Sequence, residues 1–272
     1  MKKNIVLSIT GDHHTNSIVG LCPPYVELEE GQYWASKAQR WLWRNWLMYI
    51  AQVKGAMAEH DADLVNVFNG DICDGDHHGT FQIVTRNVVI QQRMAYKTLS
   101  PLVEVATQNY VIKGTGAHGG RSGFRDEQFG EDIEAVKNES GGYAHWILNL
   151  NINGTRLNIR HHGTMGRLPW TRSNSLKRLA VETVFNYAER GDKPPDVIVQ
   201  AHRHVYADTK DEFNNIRVIA APGWQLATEY VHKIAPGSLG SIGGLIVVCF
   251  ADGGYEVRPI LFKPHREKEY RV

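Results

Sequence analysis

Five short stretches place carboxylate or imidazole groups directly after apolar runs: Asp12-His13-His14, Asn69-Gly70-Asp71, Gly114-Thr115-Gly116-Ala117-His118, His161-His162-Gly163 and His202-Arg203-His204. Oxygen and ring-nitrogen donors without thiolates suit borderline-hard divalent ions such as Mn, Fe, Zn or Co. A carboxylate with imidazoles on both sides suits a pair of ions rather than one. In the His202-x-His204 pair an extended backbone would turn both rings to one face, where they grip a single ion or serve two adjacent ones. The run from Asp71 through Asp74 to His77 and His78 adds more acid and imidazole, and its plain alternative is an acidic turn in water. Glycines around His118 let the backbone approach a ligand closely, and no Gly-Lys-Ser/Thr follows to make a P-loop. Arg121 and Arg125, just beyond, are placed to meet a phosphate.

These groups need strands to carry them and a fold that gathers the strand ends. Asn4 to Thr10, Asp63 to Phe68, Asn109 to Lys113 and the run from Asp196 read as buried strands, each ending at one of the donor stretches. Tyr143 to Ile152 and Thr155 to Arg160 flank Asn153-Gly154, a strong hairpin turn, and the second arm runs straight into His161. Helical spacing of apolar residues predicts helices over Gln32 to Glu59, Gln82 to Gln108 with Pro101 as a point of kinking, Glu127 to Asn138, and Ser173 to Arg190 with Ser173 as its cap. The tryptophans of the first helix are read as core packing against a sheet rather than as a base-binding stripe. Asn214 to Ala220, Gly244 to Phe250 and Tyr255 to Phe262 complete the strands. Strands alternating with helices gather their exit loops at one sheet edge, where donors distant in sequence meet.

The bulk properties restrict the function classes. A chain of 272 residues, 42% apolar and 22% charged, buries a substantial core and is read as one domain over 1–272. Its formal charge of +1 supplies no general field for polyanions. Cys22, Cys73 and Cys249 are odd in number and widely spaced, which fits a reducing compartment and a cytoplasmic location. The N-terminal apolar run is too short for a signal peptide, and no run reaches membrane-spanning length.

Taken in order, Asp-x-His, Gly-Asp, a glycine-rich loop with His, His-Gly and Ala-His-x-His resemble the calcineurin-like metallophosphoesterase family, over Asp12 to His204. The resemblance implies an α/β sandwich: two packed mixed β-sheets flanked by helices in four layers. It implies that Asp12, His14 and His204 hold one divalent ion and His162 and His202 a second, with Asp71 bridging them and manganese the favoured metal. His162 is preferred to His161 because it directly precedes Gly163. Two departures stand out. Ala201 takes the place of the glycine in the family's Gly-His-x-His, and Thr115 takes that of an asparagine ligand, so that it offers a weaker oxygen. His118 is implied near the leaving group as acid, with Asp74 orienting it or a histidine ligand. The implied reaction is hydrolysis of a phosphomonoester or phosphodiester. Arg121, Arg125, Arg167 and Arg172 motivate a nuclease acting on nucleic acid as an alternative, and Thr115 motivates a non-catalytic metal-stabilised module as another.

Overall fold

A computed structural model describes residues 2–77, 79–166, 168–210, 212, 216–235, 240–264 and 270–271. The chain opens with β1 (Asn4–Thr10), a small hairpin of β2 (Tyr25–Leu28) and β3 (Gly31–Trp34), then α1 (Lys37–His60) and β4 (Ala62–Asn69). Next come α2 (Val88–Val103), β5 (Gln108–Ile112), the single turn α3 (Gly116–Gly119) and α4 (Phe124–Asp132). Strands β6 (Ala144–His145), β7 (Ile147–Ile152) and β8 (Thr155–Arg160) precede α5 (Arg172–Arg190) and β9 (Val197–Gln200). The chain closes with β10 (Ala207–Asp208), β11 (Arg217–Ala220), α6 (Glu229–Ile234), β12 (Ile242–Cys249) and β13 (Tyr255–Phe262).

Two mixed sheets face each other, in the orders β13-β12-β1-β4-β5-β6 and β10-β11-β9-β8-β7. Strands β1, β4, β5 and β6 run parallel, as do β8, β9 and β11, so two sets of parallel strands deliver their carboxyl ends. Period-two alternation decides which residues fill the space between the sheets. Leu7 and Ile9 of β1 and Val65 and Val67 of β4 point inward against Leu157, Ile159, Val197 and Val199. The intervening Val6, Leu64 and Phe68 point outward to meet Leu42, Trp46, Leu99 and Leu102 of α1 and α2. Leu176 and Ala180 of α5 cover Ile198, Val218 and Ala220 on the far side of the second sheet. Each such aliphatic side chain, fully withdrawn from water, contributes about 1.5–3 kcal/mol. The result is the expected four layers, helix, sheet, sheet, helix.

Several boundaries depart from the sequence reading. Gly31 to Trp34 belongs to a hairpin rather than to α1, because Ser36 starts the helix with a capping box: its hydroxyl accepts from Gln39 N at 3.1 Å and Gln39 Oε1 accepts from Ser36 N at 2.9 Å. The helix expected from Gln82 starts at Val88, where the Asn87 side chain caps the amides of Val89 and Ile90. Before it, Ile18 N donates to Gln82 O and Val84 N to Asn16 O, which keeps residues 82–84 beside the loop after β1. Pro101 falls in the last turn of α2, where the helix is about to end. Helix α4 starts earlier, at Phe124, and stops at Asp132, and α5 is entered through Thr171 with Ser173 inside it. The arm expected over Tyr143 to Ile152 divides at Trp146, since β6 pairs with β5 in the first sheet while β7 pairs with β8 in the second. Of the strand expected from Asn214, residues 217–220 are β11 and 213–215 lie outside the described residues.

One packing detail carries a pH consequence. His13 is fully buried, edge-on to Trp46 and Phe68, with Nε2 3.0 Å from Thr10 Oγ1. Burial depresses its pKa to about 3, against partial opposition from the Asp12 charge. The unfolded chain therefore binds this proton first as pH falls, so His13 contributes stability above about pH 6.5 that is lost toward pH 3, at about 1.4 kcal/mol per pH unit. In chelator-treated protein, urea unfolding between pH 6.5 and 5 should show His13→Phe losing less stability than wild type by about that slope. Parallel pH dependences would refute it.

Candidate metal centre

The carboxyl ends of β1 and β4 open into loops that stay laddered together. Asp12 N donates to Gly70 O and His14 N to Asp71 O, each at 3.0 Å, and Asp74 N donates to Thr15 O at 2.8 Å. The second sheet is stitched to the same edge by Asn69. Its Nδ2 donates to Arg160 O at 3.1 Å, and its carbonyl lies 2.7 Å from His161 Nδ1. Donors from both sheets therefore face one pocket.

Five of its side chains stand on left-handed backbone: Asp12, His14, Asp71, His202 and His204, with φ of 51°, 44°, 50°, 71° and 49°. Such conformations cost about 1–3 kcal/mol each for residues bearing a Cβ, and they gather where surrounding structure and function hold them. His202 and His204 are thus not an extended pair showing one face. Each left-handed residue turns the chain, and the two rings part into different groups. Asp12, His14 and His204 converge in one, and Asp71, His161 and His202 in the other, each with ligand atoms within 4.8 Å of one another.

In the first group, His204 Nε2 lies 3.2 Å from Asp12 Oδ1 and 3.1 Å from His14 Nε2. His14 Nδ1 is 2.8 Å from Asp74 Oδ1, so the carboxylate accepts a hydrogen bond from Nδ1–H and leaves the Nε2 lone pair facing His204. Asp12 Oδ2 accepts from His202 N at 3.0 Å, while the buried Oδ1 faces ring nitrogens, His204 Nε2 at 3.2 Å and His161 Nε2 at 3.9 Å. In the second group, His161 Nδ1–H is committed to the Asn69 carbonyl, which turns Nε2 to Asp71 Oδ2 at 3.1 Å.

The histidine brought to Asp71 is His161, next to the His162 that the family pattern suggests. Inward-facing Thr155, Leu157 and Ile159 of β8 alternate with half-buried neighbours, and the same period carries His161 into the pocket and leaves His162 exposed at its edge. His162 still lies beside His202, their ring centroids 5.7 Å apart. Thr115 meets the site by another route than a ligand oxygen. Its N–H donates to Asp71 Oδ1 at 2.6 Å, and its hydroxyl lies 2.9 Å from both Asp71 oxygens. Gly114 permits this approach, since a Cβ there would fall on the Asp71 carboxylate.

Asp74 gathers a third set of rings. Besides His14, His118 Nδ1 lies 3.2 Å from its Oδ1 and 2.9 Å from its carbonyl, His77 Nε2 lies 3.6 Å from its Oδ2, and Gln225 Nε2 donates to Oδ1 at 3.3 Å. Arg125 turns its guanidinium to the His118 carbonyl at 3.1 Å, while Arg121 is exposed. Arg167 and His78 lie outside the described residues, and Arg172 opens α5.

Electrostatically the pocket is an anion cage. Burial opposes ionisation of Asp12, Asp71 and Asp74, yet the facing imidazoles hold Asp12 at about 2 and the other two well below the ordinary carboxylate range. Burial likewise opposes charge on His161 and His118, and the carboxylates outweigh it, lifting them to about 10 and about 9. His202, where burial wins, falls to about 4. Among the described residues no lysine or arginine pairs with the three carboxylates. Buried carboxylates without such partners, facing converging ring nitrogens, are what divalent cations satisfy.

Three contributors were not legible beforehand. Asp126 is buried beneath the loops after β4 and β5, and Trp224 and Gln225 reach the site from the loop after β11, Trp224 N donating to Asp12 O at 2.9 Å. Only His161 had a usable signal, in the alternation of β8.

No family model matches the chain, and no curated protein matches it in sequence. Among solved structures it is similar to a predicted phosphoesterase of Streptococcus pneumoniae, with 9% identity, 96% of this chain and 100% of that one covered, and a TM-score of 0.35. It is also similar to Vps29 of Entamoeba histolytica complexed with zinc, with 10% identity, 95% and 99% coverage and a TM-score of 0.39. A 5′-nucleotidase of Candida albicans gives 11% identity, 97% and 52% coverage and a TM-score of 0.42. At these identities and TM-scores the likeness says nothing about activity.

Proposed function

We propose that the chain is a divalent-metal-dependent phosphoesterase. The observation that carries this reading is the pair of adjacent donor groups, Asp12/His14/His204 and Asp71/His161/His202, gathered from both sheets around buried carboxylates that face imidazoles and, among the described residues, no lysine or arginine. Two ions of the Mn, Fe, Zn or Co class, manganese favoured, would polarise a phosphate ester there and supply hydroxide near neutral pH. Asp71, grouped with His161 and His202 and also with His14 and His118, would bridge the two ions. Asp74 and the Asn69 carbonyl fix the tautomers of His14 and His161, so that each presents Nε2. His118, held by Asp74, stabilises the departing oxygen and gives it a proton.

His118 beside Asp74 supports hydrolysis over a non-catalytic metal-binding module. A small phosphate ester fits better than nucleic acid, because Arg125 is engaged with the His118 carbonyl and Arg121 stands exposed in a turn rather than in a basic track. No described helix is long and apolar enough to cross a membrane, and three buried, unpaired cysteines suit the cytoplasm.

The test is removal and return of metal. Chelator treatment should reduce hydrolysis of aryl phosphomonoesters or diesters by more than about 100-fold, and manganese should restore it. Absence of metal-dependent turnover on these esters, on nucleotides and on DNA would overturn the reading.

A further inference from the structure

Asp126, in the first turn of α4, is completely buried and bonds no side chain of the pocket. Its Oδ2 accepts from Gly114 N at 2.8 Å, and its Oδ1 accepts from Ile72 N at 3.4 Å. These two amides have particular neighbours. Ile72 directly follows Asp71, and Gly114 directly precedes Thr115, whose N–H and hydroxyl both reach the Asp71 carboxylate. The Asp71 carbonyl on the other side is held by His14 N at 3.0 Å. A single buried carboxylate thus clamps the loop that carries Asp71 to the loop that steers it, at a residue whose φ of 50° would otherwise relax. Gly119 leaves the room that Asp126 needs, since a Cβ there would come 2.8 Å from Asp126 Oδ2.

We propose that Asp126 is a positioning residue that sets the orientation of the Asp71 carboxylate and, through it, the spacing of the two metal positions. The inference rests on the metal centre proposed above. An acceptor at both oxygens is essential, because both facing groups are buried N–H donors. Asparagine keeps the volume but presents an NH2 to one of them.

The full chain is loaded with manganese and examined by electron paramagnetic resonance, with bound manganese counted by mass spectrometry. Wild type is expected to bind two ions with an exchange-coupled spectrum. Asp126→Asn is expected to lose the coupling and to bind the second ion at least about 10-fold more weakly. Gly119→Ala, which displaces the carboxylate without removing it, should weaken the coupling too, and it decides the matter if Asp126→Asn does not fold. Asn87→Ala, which removes the cap of α2 at a cost of about 1 kcal/mol, controls for loss of stability alone and should keep the coupled spectrum. A coupled wild type with both site variants equally coupled and equally tight overturns the role of Asp126 and leaves the metal centre standing. Absence of a manganese pair in the wild type overturns both.

Discussion

Asp71→Asn should lower metal-dependent turnover by about three orders of magnitude, on the order of 4 kcal/mol of transition-state stabilisation. Asp71 is 1% exposed; it accepts from Thr115 N and Thr115 Oγ1, and its Oδ2 lies 3.1 Å from His161 Nε2. Asparagine preserves the shape, removes the only carboxylate of the Asp71/His161/His202 group, and sets an NH2 against the Thr115 donors. Each donor left unpaired in such a place costs about 1–3 kcal/mol, besides the lost charge that two cations would share. The measurement is kcat on an aryl phosphate together with bound manganese per chain. A variant that keeps both ions and more than a tenth of the turnover would show that Asp71 does not bridge.

A second large effect should divide two neighbouring residues. His161→Ala is expected to weaken manganese binding and lower turnover by about 100-fold or more, whereas His162→Ala should stay within about threefold of wild type. The asymmetry has a local cause. His161 is fully buried, with one ring nitrogen fixed by the Asn69 carbonyl and the other aimed at Asp71, while His162 is exposed at the edge of the site, its ring beside those of His161 and His202. Equal effects, or a larger one at His162, would return the ligand to the position that the family pattern suggests. Titration calorimetry with manganese on both variants measures this without recourse to any substrate.

The strands that carry the site were legible because buried strands read as continuous apolar runs: Asn4 to Thr10 matches β1 residue for residue. Donors at the ends of such strands follow from composition alone. Choosing between His161 and His162 needed the strand's period, which a motif read as letters ignores. Trp34 misled because it stands seven residues before Trp41, in helical register, although the Ser36-x-x-Gln39 capping box already marked a later start. The arm before the Asn153-Gly154 turn read as one strand, since nothing in its alternation says that Trp146 is where the chain leaves one sheet for the other. The left-handed backbone at Asp12, His14, Asp71, His202 and His204 had no glycine to announce it. Asp126 looked like any acid in a first helical turn, and its value comes from amides 12 and 54 residues away.

The stitching of both sheet edges through Asn69 has a consequence for assembly. Asp12 and the backbone of His202, 190 residues apart, come within hydrogen-bonding distance only after the two sheets have docked. Closing so long a loop is slow, and an unfolded chain holds no preformed nest of donors for an ion to find. A cation bound there belongs to the native state alone. It acts as a rivet between two halves already joined, slowing their separation without hastening their meeting.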